Sequence, residues 1–287
     1  SLTPMLSPKG RLMGDFTVSC IAEDNFQLTA SYGAQEVHYR WFMKHLKGDV
    51  RVRNVSDRRT GFQIAGPKSR EILGLCTRDD VTSMRFLDVK RMTVGQVDCT
   101  VQRVSYTGDL GFEIYCDPMD QRQLWQTLWN AGQAFDITPF GMRAMMSLRL
   151  DRHFGSWLSE FSPDYTAAET GMDRFISFKK NADFIGRKVA EAERDTPPAR
   201  ILATFEVDAD DADVVAYEPV FIDDTVQGFC TSGGYSHHAG KSIALALIPR
   251  AHATAGKQVE IEIMGQRRAA TLITAHLFDP DGTAMRG

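Results

Sequence analysis

The chain has 287 residues, 43% apolar and 24% charged, an ordinary globular composition that argues against a disordered or fibrous protein. That length leaves room for two or three domains, each with a sizeable core. A net charge of −4 and an isoelectric point near 6.0 imply no strongly basic face and argue against nucleic acid as the main partner.

The five cysteines (Cys20, Cys76, Cys99, Cys116 and Cys230) are dispersed, with no CxxC. Such a set fits buried thiols in a reducing compartment rather than a disulfide framework. No apolar run approaches the roughly 18 residues of a membrane span, and no signal-peptide pattern opens the chain. A soluble protein of the cytoplasm, or of the mitochondrial matrix if eukaryotic, is expected, with no membrane partner. The opening "SLTPMLSPKGRLMGDF" lacks an initiator Met, while Leu2 and Met5 already read as core residues. The expectation is a piece of something longer, with Ser1 an added residue.

In chain order, "RLMGDFTVSCIAEDNFQLTAS" alternates apolar and polar residues about a turn at Glu23-Asp24-Asn25, a hairpin pattern. "AQEVHYRWFMKHLKG" places Val37, Trp41 and Leu46 on one helical face and stops at Gly48. "GFQIAGPKSREILGL" reads as a strand followed by a short helix with Pro67 at its first position. "VDCTVQRVSYTGDLGFEIYC" reads as a second hairpin. In "DPMDQRQLWQTLWNAG" Asp117 caps a helix, Leu124, Trp125, Leu128 and Trp129 form its stripe, and Gly132 ends it. "TPFGMRAMMSLRLDR" is a further helix. Past Pro197-Pro198 the texture changes to strands separated by turn residues. The expected division is an α+β region over 1–196 and an antiparallel β-barrel domain over 199–287.

Common catalytic signatures are absent: no GxGxxG after a strand, no P-loop, no GxSxG and no HExxH. The glycine-rich "TSGGYSHHAGK" leads into a strand rather than a helix, so it is not expected to cradle phosphate. Its His237-His238 pair lacks a further cluster of ligands, and no metal site is expected.

Two carboxylates stand out. Asp15 follows Gly14 at a strand start among Leu12, Met13 and Phe16. Glu113 sits in the apolar return strand "GFEIY". Either could be a solvated or backbone-bonded strand residue. Buried, each would need donors or a cation, or it would take up a proton. A ligand with a row of ring N–H groups would suit either, because a carboxylate accepts two parallel hydrogen bonds. Trp157, in the loop-like "HFGSWLSEFSPDYTAAETGM", is either a core lid or a platform for a flat ring.

Taken together these segments resemble the aminomethyltransferase family, the glycine-cleavage T-protein and its relatives. "YTGDLGFEIY" matches the family's Y-T-G-E-D-G-x-E element, "SLRLDR" its S-L-R-L-E helix and "DFIGR" its F-I-G-R-E. "GFCTSGGYSHHAGKSIALALIP" matches its barrel segment, and the likeness runs over essentially the whole chain in order. "GDFTV", "FSPDYTAAETGM", "KKNADFIGR" and the terminal "LFDPDGTAMRG" look like one branch, the folate-binding C-terminal half of dimethylglycine and sarcosine dehydrogenases. The resemblance leads to the expectation that the family's usual amino-terminal segment is missing from this sequence.

The resemblance implies a folate-binding, aminomethyltransferase-like cloverleaf with tetrahydrofolate as cofactor, in a central hole between three subdomains, and transfer of a one-carbon unit to it. The expected function is the folate-binding part of a dimethylglycine/sarcosine dehydrogenase-like demethylase forming 5,10-methylene-tetrahydrofolate. Partners would be a small methylated amine and an upstream flavin domain or subunit, with FAD only there. The alternatives are a stand-alone folate-dependent aminomethyltransferase or demethylase, and a non-catalytic folate-binding module.

Carried over, Asp15 matches the family's essential aspartate and Glu113 the glutamate that grips the pterin edge, with Tyr106 the aromatic residue before it. The family's V-x-N element reads Thr29-Ala30-Ser31 here, and Ser31 keeps donor and acceptor capacity. Trp157 joins the candidate ligand contacts on its loop position and flat ring alone, not by carry-over. Met145 replaces the T-protein arginine that contacts the folate tail, leaving Arg143, Arg267 or Arg268 to serve. Both departures argue against the glycine-cleavage reaction itself.

Overall fold

The computed structural model describes residues 1–157 and 159–286. The chain forms two compact units: one contains residue 1, residues 18–145 and the last residues from Asp281, and the other contains residues 2–17 and 146–280. Each is described by itself.

Strands β1 (Leu2–Leu6), β2 (Leu12–Ala22) and β3 (Asn25–Thr29) form a three-stranded sheet in that order. β2 buries Leu12, Gly14 and Phe16 on alternate positions, as strand periodicity requires. Asp15 therefore lies in the opposite phase. It is the fourth residue of an 11-residue strand, opposite Pro4 of β1, rather than at the strand start as expected.

Helix α1 (Gln35–His45) ends before Gly48, whose φ of +68° places the left-handed residue in the turn beyond. Its buried residue is His38, while Val37, expected on the inner face, is 40% exposed. The apolar residues of α1 are spread around its circumference, so periodicity alone mistook which side packs. Strand β4 (Thr60–Ala65) leads to α2 (Ser69–Cys76). Lys68 is the N-cap residue, so Pro67 belongs to the turn before the helix and not to its first position.

Strands β5 (Val89–Val94), β6 (Val97–Gln102) and β7 (Gly111–Cys116) complete an antiparallel sheet of order β4-β7-β6-β5. The tight hairpin is β5–β6, where Val94 pairs with Val97 across a two-residue turn. Gly95 sits there at φ +65°, and a Cβ on it would lie 2.8 Å from Thr127 Oγ1. The expected second hairpin is a β6–β7 pair joined by the longer loop 103–110.

Helix α3 (Gln121–Gly132) follows a short 3-10 turn in which Asp117 accepts the Met119 N–H at 3.0 Å. Of its expected stripe, Leu124 and Leu128 are buried, whereas Trp125 is 41% exposed and stacks on Trp129. α2 and α3 supply Leu73, Leu124 and Leu128 to a core with Ile64, Val97, Val101, Phe112 and Ile114 from the sheet. The next expected helix is split into α4 (Met142–Leu148) and a 3-10 turn over Arg149–Arg152.

In the second unit, α5 (Arg187–Asp195) precedes six strands: β8 (Arg200–Val207), β9 (Pro219–Ile222), β10 (Thr225–Ser236), β11 (Lys241–Pro249), β12 (Gln258–Ile263) and β13 (Gln266–Ile273). They close an antiparallel barrel of order β10-β11-β8-β13-β12-β9. Closure removes free strand edges, and register shifts at Val226/Gly228 and Cys230/Ser232 let β10 bend. The apolar run "SIALALI" in β11 has a physical reason. Ala244, Ala246 and Ile248 point into the barrel core, while Ile243 and Leu245 pack with Leu150 on the outside. The last helix is α6 (Thr283–Arg286). Among the described residues, no helix is long and apolar enough to cross a membrane.

Candidate functional site

In the first unit the chemistry gathers on the sheet face turned away from the core. β7 sends Phe112 and Ile114 inward, so Glu113 and Tyr115 share the opposite face. Register puts Gln63 of β4 and Gln102 of β6 directly beside Glu113, a carboxylate between two amides in one row. The next row is Gly61, Tyr115 and Thr100. A Cβ at Gly61 would fall 2.8 Å from Tyr115 Cδ1, so the glycine leaves room for the ring.

The Tyr115 hydroxyl donates to Glu113 Oε2 at 2.6 Å. Burial pushes the Glu113 carboxyl up and the hydrogen bond from Tyr115 opposes it. The Tyr115 phenol is itself raised well above its ordinary range, by burial first and then by the neighbouring carboxylate. Thr29 faces this phenol from the end of β3, its buried hydroxyl outside full hydrogen-bond geometry. Gln63 Nε2 donates to Ser105 Oγ at 3.4 Å, and Ser105 bonds Thr107 at 2.8 Å. Gln102 is 2% exposed, and neither end of its amide has a partner. Tyr106 is half-buried in the 103–110 loop, and Ser31 is exposed at the entry to a 3-10 turn.

The second unit holds Asp15 and Trp157. Asp15 Oδ1 is buried without a hydrogen-bond partner, and burial pushes the carboxyl up to about 7, its own backbone N–H opposing. Near neutral pH such a group exists in both protonation states, as a residue that takes and returns a proton must. Trp157 is half-buried in the loop after the 3-10 turn. That loop is pinned by Glu160, which is fully buried. Its Oε2 accepts the Ser156 N–H at 2.9 Å and lies 3.4 Å from Arg149, and its Oε1 accepts the Ser232 hydroxyl at 2.5 Å.

Nearby, His238 Nδ1 lies 2.7 Å from Asp151 Oδ2, with the imidazole stacked on Phe278. The His237-His238 pair thus sits in the turn between β10 and β11, and its second member is committed to a carboxylate. No cluster of three or more His, Cys, Asp or Glu with metal-holding geometry occurs among the described residues. Arg267 pairs with Asp224 and Glu260, and Arg268 with Asp211, while Arg143 is exposed.

The structure therefore brings Glu113 and Thr29 together around Tyr115 and leaves Ser31 at the surface. Tyr115, Gln63 and Gln102 were not anticipated. The i, i+2 spacing of Glu113 and Tyr115 on one strand was a usable signal for the first. The other two depend on strand register, which sequence does not display.

The chain thus has an α+β unit bearing a recessed carboxylate and, in its other unit, a closed six-stranded barrel. Residues 1–180 match the GCVT N-terminal domain and residues 200–279 the glycine cleavage T-protein C-terminal barrel domain. The chain belongs to the glycine cleavage T-protein family. It is 34% identical to the mitochondrial dimethylglycine dehydrogenase of Rattus norvegicus over all of this chain and 34% of that protein. It is 32% identical to the aminomethyltransferase of Alkaliphilus metalliredigens (strain QYMF) over 96% of this chain and 74% of that protein. The chain spans about a third of the length of the dimethylglycine dehydrogenases it matches. Its fold matches the crystal structure of glycine cleavage system aminomethyltransferase T from Bartonella henselae, with TM-score 0.86 at 20% identity, over 97% of this chain and 76% of that one.

Proposed function

We propose that this chain is the tetrahydrofolate-dependent one-carbon transfer part of a dimethylglycine/sarcosine dehydrogenase-like demethylase. On this reading residues 1–196 form the folate-binding region and 199–287 the barrel domain. The setting is the cytoplasm, or the matrix of a mitochondrion. The observation that carries the reading is Asp15, a strand carboxylate with a buried unpartnered oxygen and a pKa moved to about 7. A structural aspartate would have its oxygens satisfied by donors, and its pKa would fall rather than rise.

Tetrahydrofolate, when bound, supplies the nitrogens that accept the one-carbon unit. The residues present fit it. Glu113 has Oε2 occupied by Tyr115, which leaves Oε1 for a ring N–H of the heterocycle. Ligand N–H groups would restore the ionised form that burial disfavours, so binding and deprotonation of Glu113 reinforce each other. On this reading Thr29, which faces the Tyr115 phenol, would contact the ligand beside Glu113, and Ser31, Tyr106 and Trp157 are further candidate contacts. Asp15 would take the proton that the folate nitrogen loses on bonding to the one-carbon unit and give it to the amine that departs, a role worth roughly 10²–10⁴-fold in rate. Specificity for a small methylated amine, and the flavin chemistry that would oxidise it, belong to an upstream domain or subunit.

A second reading, an aminomethyltransferase acting without a flavin part, is favoured by the 32% identity to aminomethyltransferases over 96% of this chain. Met145 at the position of the T-protein arginine weighs against it. The test is calorimetric titration of tetrahydrofolate into the wild type and Asp15→Asn, with one-carbon transfer assayed in the protein that carries the oxidising domain. Asp15→Asn should bind within a few-fold of wild type and lose transfer by about 100-fold or more. Wild-type protein that does not bind tetrahydrofolate would sink the proposal.

A further inference from the structure

We propose, resting on the folate reading of the first unit, that Gln102 is a further ligand-reading residue there. Its side-chain N–H donates to the ring carbonyl that adjoins the N–H taken by Glu113. The ligand class is thereby narrowed to heterocycles with a lactam edge, an N–H and a C=O side by side.

Strand phase places the residue. In β6, Val97, Cys99 and Val101 are buried in the core of the unit, so Thr100 and Gln102 belong to the opposite face, the one that carries Glu113. Register sets Gln102 directly opposite Glu113, with Gln63 on the other side of the carboxylate. Residues so opposed on antiparallel strands have Cβ atoms about 4.5–5.5 Å apart, within reach of both side chains. The loop after β6 returns across the same face: a Cβ at Gly111, two residues before Glu113, would lie 2.8 Å from Ser105 Cβ.

The three members of this row differ in what they have left to give. Gln63 already donates from Nε2 to Ser105 Oγ at 3.4 Å, and Glu113 Oε2 already accepts the Tyr115 hydroxyl at 2.6 Å. Gln102 has spent nothing. It is 2% exposed, and neither Nε2 nor Oε1 has a partner among the described residues. Such an amide burdens the ligand-free fold, because both its groups have given up water without compensation.

The capacity that remains is an acceptor at Glu113 Oε1 beside an unused amide at Gln102. A ring N–H suits the first, and the adjoining ring carbonyl suits the Gln102 N–H. Tetrahydrofolate carries this edge in its 2-amino-4-oxo ring. No hydrogen bond has to break for the amide to turn toward Glu113, since it makes none, and the side chain has three torsions to turn about.

The test pairs stability with binding in Gln102→Met and Gln102→Leu, which remove the amide and keep most of the bulk. Tetrahydrofolate and 6-methyltetrahydropterin, which has the ring without the tail, are titrated calorimetrically into the full chain. Without ligand, the variants should unfold about 2–4 °C higher than wild type. They should bind both probes at least tenfold more weakly. An unfolding midpoint that rises in neither variant would mark a glutamine satisfied within the fold, by protein or by a buried water, and would overturn the proposal. Equal affinity in variants and wild type would do the same, as would a loss confined to tetrahydrofolate, which would put the contact at the tail. In those cases wild-type binding of tetrahydrofolate leaves the folate reading standing, whereas a wild type that binds neither probe sinks both.

Discussion

Glu113 and Glu160 are both shielded carboxylates, one in each unit, and their surroundings differ in kind. Glu160 is fully buried and meets an arginine, a backbone N–H and a serine hydroxyl. Glu113 has the Tyr115 hydroxyl and two neighbouring glutamines, and burial raises its pKa. A carboxylate whose acceptors are filled by the protein is a fastener, because ionisation is already compensated. One whose acceptors are left short is either a cost to the fold or a place kept for donors that arrive with a ligand. Asp15 falls on the Glu113 side of that divide.

The comparison can be broken first at its fastened end. Glu160→Ala leaves Arg149 buried and unpaired, and the expected loss of stability is about 3–5 kcal/mol by denaturant unfolding. Unchanged stability would show that the network contributes little.

Asp15→Asn should do the opposite above neutral pH. The unfolded chain loses this proton near its ordinary value of 3.8, while the folded protein keeps it to about 7. The folded state therefore binds more protons in that window, and wild-type stability falls as pH rises through it. The variant should lack this slope and gain at most about 4 kcal/mol over wild type at pH 8. Parallel pH–stability curves for the two proteins would contradict the assignment.

Glu113 carries the same sign. Its raised pKa makes the ionised form a burden on the ligand-free fold, so stability declines with pH above the ordinary glutamate value. Glu113→Gln should flatten that decline and be at least as stable as wild type at pH 8. A smaller effect is expected from Tyr115→Phe, about 0.5–1.5 kcal/mol, with the Glu113 titration moving further up because its one hydroxyl donor is gone. NMR titration of the glutamate side chains would read that movement.

Local patterns were legible in the sequence. The Asp117 cap, the alternation of β2 and the barrel strands all follow from short-range chemistry, and the run in "GFEIYC" marked Glu113 as a carboxylate in apolar company. What escaped notice depends on partners far along the chain. Glu160 is 72 residues from Ser232, and the two glutamines flanking Glu113 come from different strands. The inner side of α1 was misjudged for a related reason, since His38 rather than Val37 is covered. A helix with apolar residues on several sides is oriented by what packs against it, not by its own period.

Beside Asp15, a folate site in this chain requires that Glu113 be kept short of donors for a ligand. Its direct test is calorimetric titration of tetrahydrofolate into wild-type protein and Glu113→Gln at pH 7.5. Saturable wild-type binding, with affinity reduced by about 10–100-fold in a Glu113→Gln variant of undiminished stability, is the predicted result. Equal affinity in the two proteins, or none in either, would contradict it.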